Sequence, residues 1–272
     1  MLLAVDVGNT NIVVGVFTAG GELVAAWRWA SDQARMPDEY AALLSWGFGE
    51  AGIARRSIDG MVLSSVVPPL TTTFRELAHT YLQLDPLVIH AGLQTGLPLR
   101  VDTPEEVGAD RIANALAVKH RYGVPAIVVD FGTATNFDVV SAAGEFLGGA
   151  FAPGIRTAFD GLASRAARLR SVELRAPGTA IAKNTADCMR AGLIYGYVGL
   201  VEGLVARITA ELGARPVVVA TGGLAPLIVA ETTIFDAVDP YLTLHGLRLL
   251  YDLNRRPPDG QLATPTVESA SA

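Results

Sequence analysis

The chain has 272 residues, half of them apolar and 18% charged, with a formal net charge of −6 at pH 7. At ~150 residues per domain, that length argues for one large or two modest domains. The apolar content builds a packed core and excludes a disordered chain, and the acidic balance argues against nucleic acid or an anionic membrane as the main partner. One cysteine, Cys188, rules out an internal disulfide framework and fits a reducing cytoplasm.

Residues 2–5 and 12–17 read as two short β-branched strands joined by a polar turn and followed by Ala19-Gly20-Gly21. Apolar spacing turns helical over 37–54 and again over 71–82, with strands expected at 61–67 and 87–90. Thr103-Pro104-Glu105-Glu106 carries a helix-start signature, and that helix is expected to run, with a break at Gly108, to Tyr122 before Gly123 and Pro125. The second half opens with a strand at 126–131, then a helix over 180–212, a strand at 216–220, the turn Thr221-Gly222-Gly223 and a last helix over 244–253. The tail from Asn254 is expected to be disordered. Residues 1–5 are too short for a secretory apolar region, and the weakly polar run 216–230 is too broken to span a bilayer. A cytoplasmic protein without membrane contact is the expectation.

The opening pattern recurs. Asp130-Phe131-Gly132-Thr133, 124 residues after Asp6-Val7-Gly8-Asn9, again ends an apolar strand and precedes a second strand and a Gly-Glu turn. A repeat of half the chain suggests two units of one topology facing each other across a cleft. Glycine in such turns lets backbone amides approach a phosphate, while the aspartates suit a cation or its water shell. A single Asp-x-Gly is usually a plain hairpin turn; two at equivalent places point to a ligand.

Other devices are missing. Neither lysine, Lys119 or Lys183, follows a P-loop, and no G-x-G-x-x-G opens a helix. The four histidines show no metal spacing, and Cys188 reads as a buried small hydrophobe within an apolar helix. Asp110 sits beside Arg111 at a helix start, where an acid can equally serve the helix dipole.

Six motifs, Asp6-Val7-Gly8-Asn9-Thr10, Gly108-Ala109-Asp110-Arg111, Asp130-Phe131-Gly132-Thr133-Ala134-Thr135, Gly148-Gly149-Ala150-Phe151-Ala152-Pro153-Gly154, Asn184-Thr185 and Thr221-Gly222-Gly223, occur in one order over residues 1–250. In that order the chain resembles type III pantothenate kinases, within the actin-like, sugar-kinase-like ATPase superfamily. The resemblance implies an α/β fold of two duplicated ribonuclease-H-like domains with mixed sheets, 1–115 and 116–253, the last helix packing back on the first domain. It implies a homodimer that uses ATP, Mg²⁺ and a monovalent cation (K⁺ or NH₄⁺) to phosphorylate pantothenate, the first step toward coenzyme A.

Residue by residue, the resemblance puts Asp6, Val7, Gly8, Asn9, Thr10, Asn11, Ile12 and Val13 in a first phosphate loop and Thr133 on ATP from a second. Asp130 holds the cation, and Gly222 and Gly223 lie on the adenosine side. Gly108, Ala109, Asp110 and Arg111 bind pantothenate, with Asp110 the base and Arg111 on the carboxylate; Thr185 adds a contact near a dimer interface. The chain departs from the pattern at Val101, Thr103 and Asn136, where Tyr, Asn and a second Thr or Ser are commoner. Two alternatives stay open: another small-molecule kinase of the superfamily, or a non-catalytic regulator on the same fold.

Overall fold

The computed structural model describes residues 1–90, 92–165 and 172–255, so the expected disordered tail lies outside the described residues except for Asn254 and Arg255. The chain runs β1 (Leu2–Val7), β2 (Asn11–Phe17), β3 (Leu23–Ala30), α1 (Pro37–Glu50), β4 (Gly60–Ser65), α2 (Pro68–Leu77), β5 (Leu87–Val88) and α3 (Ala109–Arg121). It continues β6 (Ala126–Phe131), β7 (Ala134–Val140), β8 (Phe146–Pro153), α4 (Ile155–Arg165), α5 (Thr185–Leu212), β9 (Val217–Thr221), α6 (Ala225–Val229), β10 (Ala237–Val238) and α7 (Leu242–Asn254).

Two five-stranded sheets result, ordered β3-β2-β1-β4-β5 and β8-β7-β6-β9-β10. In each, the first strand pairs antiparallel with the second and parallel with the fourth. The central strands β1 and β6 are apolar on both faces because both faces are covered, as buried parallel pairs require. The duplication expected from the two Asp-x-Gly turns is therefore the architecture.

Three apolar layers alternate with the sheets. Tyr40, Leu44, Leu70 and Phe74 of α1 and α2 pack on the outer face of the first sheet. Met189, Leu193, Tyr197, Val201 and Val205 of α5 pack on the outer face of the second. Between the sheets lie α3 and α7, with Ile112, Leu116, Leu247 and Leu250 against Ala4, Val62, Val128 and Val140. The two helices touch at Gly246, where a β-carbon would meet the Ala113 carbonyl oxygen at 2.0 Å, so only glycine permits the crossing. The last helix thus packs on β1, β2 and β4 of the first sheet. The expected division at 115/116 falls inside the continuous helix α3.

Several boundaries differ from the sequence reading. Pro104–Glu106 forms a separate 3₁₀ turn, and α3 restarts after Gly108 at the expected break. The helix expected from 180 starts at Thr185, because the Asn184 side chain accepts the Asp187 amide and caps it. Strands β3 and β8 were not anticipated; both lie at sheet edges, and the small residues Ala25-Ala26 and Gly148-Gly149-Ala150 hide any apolar alternation in the sequence. Cys188 is exposed rather than buried. α5, not 216–230, is the most apolar long stretch: its mean hydropathy is 1.4 over an 18-residue window, enough by length and composition to cross a membrane. One face of it belongs to the core of the second sheet, and Gly192, Gly196, Gly199 and Gly203 lie exposed on the other.

Candidate active site

The strand ends carrying the two Asp-x-Gly turns meet at one cavity of about 350 Å³. This is where parallel strands of α/β sheets present ligands, beyond their carboxyl ends. The Gly8 amide donates to the Asn11 carbonyl at 3.0 Å and the Gly132 amide to the Ala134 carbonyl at 2.9 Å, closing both turns. The turns touch: Thr10 Oγ1 and Thr133 Oγ1 lie 2.9 Å apart. Behind the second turn, the Gly154 amide and the Thr157 hydroxyl both donate to the Thr133 carbonyl, at 3.0 and 2.7 Å, so the start of α4 holds that turn in place.

Three carboxylates converge on the cleft. Asp6 ends β1 beside Ser64 of β4, and Asp130 ends β6 beside Thr221 of β9. Asp110 enters from the first turn of α3, where its Oδ1 accepts the Arg111 amide at 2.9 Å. Burial, reinforced by the charge of Asp110, pushes the Asp6 carboxyl up to about 7. The same two causes raise Asp130 to about 6, against the pull of the Asn114 amide and the Arg28 guanidinium. Asn114 Nδ2 donates to Asp130 Oδ2 at 3.4 Å, and its own Oδ1 accepts from the Thr243 hydroxyl at 2.8 Å. A relay from α7 through α3 thereby orients the second aspartate.

Gly222 has φ +90°, and a β-carbon there would lie 2.5 Å from Asp130 Oδ1 and 2.6 Å from the Phe131 amide nitrogen. Only glycine fits that approach. Among the described residues no three acidic, histidine or cysteine side chains come close enough to cage a metal by themselves. The crowded carboxylates nonetheless suit a cation shared with a polyanion, because their burial leaves negative charge uncompensated.

A family model described as type III pantothenate kinase matches residues 2–207. The chain belongs to the type III pantothenate kinase family. It is 55% identical over 255 residues to a type III pantothenate kinase of Roseiflexus sp., covering 94% of this chain and all of the relative. It is 54% identical over 254 residues to the one of Moorella thermoacetica, covering 93% of this chain and all of that relative. Among solved structures, component A of the Acidaminococcus fermentans (R)-2-hydroxyglutaryl-CoA dehydratase shares the fold at 14% identity and TM-score 0.56, over 92% of this chain and 96% of that one. A candidate 2-dehydro-3-deoxygalactonokinase from Sinorhizobium meliloti does so at 16% identity and TM-score 0.59, over 96% of this chain and all of that one.

Membership in a family of kinases makes ATP use part of the reading. Of the residues expected to serve a pantothenate kinase, Asp6, Gly8, Asn9, Thr10, Asn11, Val13, Asp110, Asp130, Thr133, Gly222 and Gly223 line the one cleft. Val7 and Ile12 turn into the core of the first sheet, so only their main chain is available there. Gly108 and Ala109 form the start of α3. Arg111 points away from the two turns, against Asp138, Phe146 and Phe151. Thr185 is not brought to the cleft; it borders a shallow apolar depression with Ala158, Leu162 and Met189. Val101 approaches the position of a β-carbon on Gly148 of β8 at 3.4 Å, on the strand that carries Phe146 and Phe151.

The sequence reading missed four contributors. Arg28 of β3 is the basic side chain lining the cleft, and its Nη1 lies against Gly223. Asn114, Thr243 and Asp138 reach the site from elements whose sequence patterns read as core or surface.

Proposed function

We propose that this chain transfers the γ-phosphoryl group of ATP to the primary hydroxyl of pantothenate, giving 4′-phosphopantothenate, the first step toward coenzyme A. The observation that carries the reading is the convergence of Asp110 with two glycine turns from the two halves of a duplicated fold. Phosphoryl transfer has a loose transition state, so positioning and charge neutralisation do most of the catalysis. Turn amides at Gly8 and Gly132, the hydroxyls of Thr10 and Thr133 and the Arg28 guanidinium would meet the phosphates. Asp110 orients the pantothenate hydroxyl and accepts its proton, and Arg111 takes the carboxylate. Asp6, through water, would hold Mg²⁺ and Asp130 a K⁺- or NH₄⁺-like cation; bound there, these ions offset the growing phosphate charge.

The Thr10–Thr133 contact joins the turns where phosphates would lie, so nucleotide entry separates them and closure follows around ATP. Domains 1–115 and 116–253 remain our division by sequence repeat. We also place the enzyme in the cytoplasm as a homodimer, its interface on the exposed glycine face of α5 near Thr185. That long apolar helix is covered on one side alone. A sedimentation mass of 28.5 kDa, that of one chain, would remove the dimer. The activity itself is tested by a coupled ADP-release assay with pantothenate, ATP, Mg²⁺ and K⁺. ATP consumption that does not depend on pantothenate, or that follows another hydroxy acid or sugar instead, overturns the reading.

A further inference from the structure

Beside the cleft, on β7, one acidic group reaches the site only through its contact with Arg111 and has no stated role in the reaction. Asp138 of β7 is fully buried, and its Oδ1 accepts from Arg111 Nε at 2.6 Å. Its other oxygen, Oδ2, has no hydrogen-bond partner among the described residues. Burial outweighs the attraction of Arg111 and pushes this carboxyl up to about 7. A half-partnered buried carboxylate is a poor stabilising device, since desolvation consumes most of the Coulombic gain.

Its effect on Arg111 is specific. The guanidinium is held by Asp138 at Nε and lies between two rings, 5.1 Å from the Phe146 centroid and 4.6 Å from the Phe151 centroid. Neither Nη group has a hydrogen-bond acceptor among the described residues. Phe151 is 65% exposed, so the sandwich is open to solvent on that side. A guanidinium anchored by Nε and held against two rings keeps its two Nη groups as a planar fork, the geometry that takes a carboxylate in bidentate fashion.

We propose that Asp138 is a positioning residue for the acceptor substrate: it fixes Arg111 between Phe146 and Phe151 so that both Nη groups grip the pantothenate carboxylate. The inference rests on the reading of Arg111 as the carboxylate site and deepens it. Asp138 acts through Arg111 and touches no reacting atom. Its loss therefore falls on the binding of a carboxylate-bearing acceptor rather than on nucleotide binding or on the chemistry at Asp110.

The test is steady-state kinetics of Asp138→Asn, Arg111→Gln and the double variant, with pantothenate and with the analogue whose carboxylate is replaced by a hydroxymethyl group. Asp138→Asn is expected to raise the KM for pantothenate ~10–100-fold, the scale known for removing a group that orients a metal-ligating side chain. The KM for ATP stays within about twofold, and the loss on the neutral analogue is at least ~10-fold smaller. The double variant is expected to bind pantothenate no worse than Arg111→Gln alone, because the two residues act as one unit.

An equal loss on both acceptors would make Asp138 a purely structural residue and overturn the proposal. So would full additivity in the double variant. If Arg111→Gln raises the pantothenate KM while Asp138→Asn does not, only the positioning role fails. If Arg111→Gln itself leaves that KM unchanged, the carboxylate assignment fails with it. Should Asp138→Asn not fold, with Arg111 left charged beside an amide, the double variant has no buried charge and still reports non-additivity against Arg111→Gln.

Discussion

The two halves of the molecule carry the same strand order, yet their ligand turns are not copies. Register places Asp6 opposite Val13 and Asp130 opposite Asn136, so the second turn is one residue shorter than the first. After the residue that pairs with each aspartate on the adjacent parallel strand, the first half continues Ser65-Val66 where the second has Gly222-Gly223. Asp130 faces the Asn114 amide and the field of Arg28, whereas no amide or guanidinium tempers Asp6. Duplication supplied a scaffold with pseudo-symmetric ends, and divergence at those ends gives the cleft two chemically different sides. Asp110 stands outside the symmetry, at the start of the helix that closes the first repeat.

The largest expected effect falls on that unpaired element. Asp110→Asn is expected to lower kcat by ~10³-fold or more, within the range for a positioned base. Folding and ATP affinity should change little, because the Asn retains an acceptor for the Arg111 amide. Near wild-type kcat would show that the chemistry is handled by the paired turns alone. Next comes the glycine asymmetry. Gly222→Ala is expected to cost ~2–3 kcal/mol, through a strained positive φ and the clash with Asp130 and Phe131. The positional counterpart Ser65→Ala loses two side-chain hydrogen bonds with Val67, one donated to its carbonyl and one accepted from its amide, about 1 kcal/mol in a half-exposed turn. Urea midpoints for the two variants measure the difference, and equal shifts would mean the halves are equally tight.

Much of this was legible in the sequence because turn chemistry is local. Asp-x-Gly at two equivalent places and the fully apolar runs of β1 and β6 announce themselves within eight residues, and so does the break before α3. What could not be read comes from tertiary geometry. Arg28, Asn114, Thr243 and Asp138 reach the site from β3, α3, α7 and β7, and nothing near them in sequence marks the destination. The exposure of Cys188 was misjudged because α5 is apolar on nearly every face, so periodicity cannot say which face is covered. Val7 and Ile12 were assigned with the phosphate loop as a block, although strand alternation turns their side chains into the core between residues that face the cleft.

A third difference concerns cations. If Asp130 with its amide partner is the monovalent site, K⁺ or NH₄⁺ should activate ~10-fold over Na⁺ at equal ionic strength, ~1.4 kcal/mol of transition-state stabilisation. Asp130→Ala should abolish that selectivity, while any activity left in Asp6→Ala should retain it. Equal rates in all three salts would place no selective cation at the second turn.

The smallest expected effect separates the two aspartates by pH. A carboxyl whose folded pKa is raised holds its proton more tightly when folded than when unfolded. It therefore contributes stability that is fully present below ~4 and is lost as pH rises through the folded value. For Asp130 that loss is complete near pH 6, and for Asp6 it continues to about 7. The ligand-free enzyme should melt at falling temperature as pH rises from ~4 to about 7, with Asp138 adding to the slope over the same window as Asp6. Asp130→Asn should remove its share of the slope below pH 6 only, whereas Asp6→Asn should remove slope from ~4 up to about pH 7. One pKa unit is worth ~1.4 kcal/mol, and 1 kcal/mol moves the melting point of a chain this long by ~2–4 °C, so the one-unit difference between the two variants should amount to ~3–6 °C. Differential scanning fluorimetry across buffers of constant ionic strength resolves this. If both variants flatten the same window, the neighbours that distinguish the two turns do not distinguish their charge, and the asymmetry is steric alone.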